Sequence, residues 1–192
     1  MAACSARYAQ VFPRLDLEPM GRIALVTFSS EGDKAALGPL ATQRFAEAVL
    51  QAQTNIEIIE LDPDDSTFAN LSRQGNPAAI ATALGRERDI AAVFLGQLVV
   101  SGTKAKARVK SPTDLRVKAE VRAELAVQLL STRTGGTMWR SSAEASGTVG
   151  QVSFDGGLPS VAARDTDEAY GDVLRELASS VTRDLRPTYV KE

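Results

Sequence analysis

The chain has 192 residues, 44% of them hydrophobic and 24% charged, with a formal net charge of −2. That is the composition of one ordinary globular domain with a proper core, and it lacks the basic excess of a nucleic-acid binder. It contains no histidine, which removes the commonest general base and the commonest metal ligand together, and a single cysteine, Cys4, cannot form an internal disulfide.

Residues 5–20, punctuated by Pro13 and Pro19 and without periodicity, read as a tether that can lie against the domain. The domain begins at the β-rich run "GRIALVTF" (21–28) and continues to 192. Over 35–52, Leu37, Leu40, Ala41, Phe45, Ala48 and Val49 recur at three- and four-residue steps, the stripe of an amphipathic helix. A short strand, "IEIIEL" (56–61), and a polar loop (62–75) follow. Asn76 then offers an N-cap and Pro77 a first helical residue, predicting a second helix that ends near Arg88.

The apolar run at 90–103 is too short to span a bilayer and predicts a buried strand. In "LRVKAEVRAELAVQL" (115–129) every odd position is apolar and the even ones are mostly polar. This alternation describes a strand with one face on a core and one in water, hence antiparallel neighbours. "TRTGG" (132–136) supplies a turn into a partner strand over 137–149, which carries Trp139. A glycine-rich loop (150–165) precedes a last helix over about 166–184, with Tyr170, Val173, Leu174, Leu177 and Val181 on one stripe. The order β-α-β-α-β-β-β-α predicts an α+β fold: a mixed, largely antiparallel sheet with helices packed on one face.

Chemistry is sparse. No dinucleotide, P-loop or α/β-hydrolase motif is present. "SGTK" (101–104) matches S-x-x-K, but Ser101 ends a strand where a penicillin-recognising enzyme opens a helix, and the partner motifs are missing. "DPDDSTFANLSR" (62–73) has Thr67 and Arg73 where a calcium loop needs glycine and glutamate. No catalytic, cofactor or metal-ligating set emerges. In "TKAKARVKSP" (103–112), Lys104, Lys106, Arg108 and Lys110 alternate with small apolar residues. They are either a docking ridge for an acidic partner or an edge kept soluble by lysines. Trp139, alone on an apolar strand face, reads as core.

"GRIALVTF", "AAIATALGRERDIAAVFLGQLVVSG" and "VKAEVRAELAVQLLSTRTGGTMWRSSAEASGTV", closed by an amphipathic helix, follow a recurring plan. Over about 21–184 the chain resembles the periplasmic domain shared by CsgG-type curli-export lipoproteins, the lipoprotein activators of penicillin-binding proteins, and the N-terminal domain of TolB. The "STRTGGTMWRSSAEASG" hairpin carries most of the likeness. The resemblance implies a non-enzymatic envelope protein that binds protein partners and needs no cofactor. With no pair of long membrane-compatible hairpins in view, the chain departs from the pore-forming branch.

In that light "AAC" (2–4) fits the end of a lipobox, with residues 1–20 its remnant and tether and Cys4 the lipid-attachment site. Ser5 in place of aspartate suits outer-membrane sorting by the family analogy. The expectation is a periplasmic module anchored to the outer membrane through Cys4, with Lys104, Lys106, Arg108 and Lys110 as partner contacts and a sheet edge open to pairing two copies. The alternative is a soluble, non-lipidated adaptor or assembly subunit.

Overall fold

A computed structural model describes residues 8–11, 13–32, 37–62, 76–111, 114–155, 158–162 and 166–191. Its strands are β1 (Tyr8–Val11), β2 (Arg22–Val26), β3 (Ser29–Glu31), β4 (Glu57–Leu61), β5 (Ala92–Ser111), β6 (Asp114–Ser131), β7 (Thr137–Asp155), β8 (Leu158–Ala162) and β9 (Thr188–Lys191). The helices are α1 (Leu37–Ala52), α2 (Pro77–Arg88) and α3 (Thr166–Val181), and a 3₁₀ turn over Thr182–Leu185 continues α3.

The main sheet runs β4-β2-β5-β6-β7-β8, with β3 also beside β5. The strands joined through α1 and α2 are parallel, because each crossover returns the chain to the same end of the sheet (β2 with β4, β2 with β5). The strands joined by short turns, β5 to β8, form an antiparallel meander. The fold is therefore α+β with a mixed, largely antiparallel sheet, as the hydrophobic periodicities predict.

The principal core lies between the sheet and the layer formed by α1 and α3. Ile23, Leu25, Phe94, Leu98 and the odd positions Val121–Leu129 face Phe45, Val49, Leu174 and Leu177. Four aromatic rings run through it in contact, Phe28–Phe45 tilted at 5.3 Å, and Phe45–Phe94 at 5.1 Å and Phe94–Trp139 at 6.1 Å edge to face, between centroids. Trp139 is thus a core residue, 7% exposed.

A smaller cluster occupies the opposite face, where α2 lays Ile80, Ala81 and Leu84 against Ala24, Val26, Val93 and Leu130. Covered on both sides, β2 reads as a continuous apolar run rather than an alternating one. The Asn76 side chain accepts a hydrogen bond from the Ala78 N–H at 3.0 Å, and Asp89 closes α2 in the left-handed region at φ 53°.

Two features exceed the local sequence signals. β5, β6 and β7 are 20, 18 and 19 residues long, far beyond the common strand of about 5–6 residues. The loop at 150–165 also contains the end of β7 and all of β8. The N-terminal stretch is built into the fold: β1 pairs antiparallel with β9, and Leu17 is fully buried. Gln53, at the end of α1, accepts from the Leu17 N–H at 3.1 Å and donates to the carbonyls of Leu15 (3.1 Å) and Leu185 (2.6 Å), tying both terminal segments to one amide.

Candidate interaction surface

Beyond Ser101 and Glu120, β5 and β6 go on pairing as a two-stranded arm as far as Ser111↔Asp114. A register shift separates Ser101 from Lys104, after which the pairs are Lys104↔Glu120, Lys106↔Lys118 and Arg108↔Arg116. Lys110 falls in a second irregularity, between Val109 and Ser111. The strand ladder thus collects all four cations singled out in the sequence and adds two more, Arg116 and Lys118. Register is the signal that joins them; linear spacing within either strand cannot. The alternate positions are apolar or glycine on three neighbouring strands: Ala105, Ala107 and Val109; Leu115, Val117 and Ala119; Gly150, Val152 and Phe154.

Residues 104–118 hold six cations and the single carboxylate Asp114. Of the 22 cations and 24 carboxylates in the chain, 16 and 23 therefore lie elsewhere, so the arm is basic in a chain that is otherwise acidic. Among the described residues β2 and β3 pair with β5 only as far as Val99, which leaves the outer edge of the arm open.

The other sequence candidates are dispersed. Ser101 is a strand residue paired with Arg122, not the first turn of a helix. Residues 63–73 of the calcium-like loop, and Cys4, lie outside the described residues. Among the described residues no three acidic or cysteine side chains are grouped to hold a metal ion. No helix of the described residues is long and apolar enough to cross a membrane. An open groove of about 240 Å³ lies on the α2 side of the sheet, lined by Pro77, Gly96, Gln97, Gln128 and Arg140 among others.

No protein-family model matches the chain, and no curated protein matches it. Solved structures do. The PelC dodecamer from Paraburkholderia phytofirmans is similar at a TM-score of 0.52 and 12% identity, covering 95% of this chain and 98% of that one. Bacterial lipoproteins are also among the similar structures. Lipoprotein GNA1162 from Neisseria meningitidis has a TM-score of 0.42 and 15% identity over 67% of this chain and 83% of its own. The LpoB C-terminal domain from Salmonella enterica has a TM-score of 0.37 and 12% identity over 66% and 83%. At these identities the likeness is one of fold.

Proposed function

We propose that the chain is the envelope module of a bacterial lipoprotein, held at the outer membrane by lipid on Cys4. It acts by binding proteins, copies of itself included, rather than by catalysis. The observation that carries this reading is the near full-length likeness of fold to PelC, a dodecamer. The kinship with CsgG-type, penicillin-binding-protein-activating and TolB N-terminal domains implied by the hairpin sequence belongs to the same reading, as does the lipobox-like "AAC".

Charge distribution supports self-association of one geometric kind. A basic arm and an acidic body on the same chain are complementary between neighbours placed head to tail, and such heterologous contacts close into rings.

The test expresses the gene with its native upstream region in a Gram-negative host fed a palmitate analogue, beside Cys4→Ser, and measures the mass of the purified module by light scattering. Label and membrane fractionation that vanish in Cys4→Ser, together with a mass of several protomers, support the proposal. Unlabelled, soluble protein in both strains refutes the anchor and leaves the adaptor reading. A strictly monomeric module refutes self-association.

A further inference from the structure

A second site lies between the outer faces of α1 and α3. Arg44 lies three and four residues before Glu47 and Ala48 on α1, with Gln51 one turn further on, and Arg175 lies three and four residues before Ala178 and Ser179 on α3, so each set shares one helix face. The small side chains Ala48 and Ala178 are buried beneath a cleft of about 270 Å³. Arg186, just past the 3₁₀ turn, lines the same cleft, and Gln53 fixes it in place by gripping the preceding carbonyl.

Three guanidinium groups thus surround a space whose lining contributes one carboxylate. Glu47 takes Nη1 of Arg44 at 2.8 Å, and Asp172, one turn back on α3, takes Nη1 of Arg175 at 2.8 Å. Arg186 has no carboxylate partner among the described residues; its Nη2 reaches only the Thr182 hydroxyl, at 3.3 Å. The Nε atoms of Arg44 and Arg186 are both buried with no acceptor among the described residues. An orphaned buried N–H is costly, so two of them on arginines that line one cleft leave hydrogen-bonding capacity unused there. A guanidinium edge matches an oxyanion with two parallel hydrogen bonds. A phosphate group brings double charge and enough oxygens to be approached by guanidiniums from both helices at once.

We propose that the α1–α3 cleft binds the phosphate group of a small ligand through Arg44, Arg175 and Arg186. Inorganic phosphate is the first probe, titrated into the module while the Arg Nε–H resonances are followed by NMR, with sodium chloride and acetate of equal ionic strength as controls. Saturable shifts of Arg44 and Arg186 are expected with phosphate alone. Arg186→Ala, and equally Arg186→Lys, which keeps the charge but loses the fork, should weaken binding about tenfold or more, the effect of one charge-assisted pair. Circular dichroism verifies that each variant is folded, and Arg44→Ala provides an independent reading should Arg186 variants unfold. A short-chain phosphatidate in parallel separates the sources: tighter binding than phosphate assigns a lipid headgroup, equal binding a free phosphate. Shifts as large with acetate, no saturable shift with either phosphate compound, or unchanged affinity in folded Arg186 variants overturns the proposal.

Discussion

Replacing Gln53 by alanine strips three backbone groups of their partner in one step: the Leu17 N–H and the carbonyls of Leu15 and Leu185. The Leu17 and Leu185 groups are buried, so each loses a partner that water cannot readily replace; the Leu15 carbonyl lies nearer solvent and recovers one. At about 1–3 kcal/mol for each of the two buried orphans, the loss is about 2–6 kcal/mol. For a domain of this size that lowers the melting temperature by about 10 °C. Thermal unfolding by circular dichroism gives the shift. Hydrogen exchange gives its location: residues 13–20 and 182–188 should lose protection together, because one amide holds both. Gln53→Glu sharpens the test. A carboxyl buried there, facing two carbonyls, has its folded pKa raised above the unfolded value. Its stability is therefore highest below the unfolded pKa and falls as pH rises through the folded one. Relative to the parent, Gln53→Glu should melt closer at acidic pH than at neutral pH. A Gln53→Ala variant melting within about 2 °C of the parent, with both segments still protected, would refute the reasoning, since that shift corresponds to only about 1 kcal/mol.

Gly85→Ala, which in an exposed helix interior would stabilise by about 1 kcal/mol, should here destabilise by a similar amount. The new Cβ would lie 2.5 Å from Thr132 Cβ, and Thr132 is held in place by its hydroxyl on the Ala91 carbonyl; chemical denaturation reads the sign. Phe45→Ala removes the ring that links Phe28 to Phe94 and should cost about 3–5 kcal/mol by the same assay. Reversing Lys104, Lys106 and Arg108 to glutamate should reduce the mass measured by light scattering. Added salt should act on the parent in the same direction, by screening.

Local pattern reaches as far as local physics does. The alternation over 115–129 gives β6 its register face directly, and Asn76-Pro77 gives the start of α2 to the residue. β1 and β9 carry no such signal, because each four-residue strand exists only through a partner at the other end of the chain. β8 is hidden for the same reason: Leu158–Ala162 becomes a strand by pairing with the far end of β7. The basic segment is visible as four alternating cations, but its size is not, since Arg116 and Lys118 join it only through cross-strand register. The arginine cleft leaves no linear trace at all. Arg44, Arg175 and Arg186 each read as an ordinary solvated position of their own element, and only the packing of α1 against α3 brings them together.

The arm and the cleft are separable by construction. The cations of β6 stand at even positions of a strand whose odd positions Val121–Leu129 enter the core beneath α1 and α3, whereas the cleft opens on the outside of that helix layer. They share no residue, and sites without shared partners contribute additively to within about 0.3–0.5 kcal/mol. Combining the triple arm reversal with Arg186→Ala should therefore leave phosphate affinity at the value of Arg186→Ala alone, and assembly at the value of the reversal alone. Phosphate titrations at fixed protomer concentration, with mass measured across the same series, decide it. If the reversal by itself weakens phosphate binding, the cleft is completed or shaped by a neighbouring copy. The two surfaces would then be parts of one interface, with the arm of one protomer lying across the helix layer of the next.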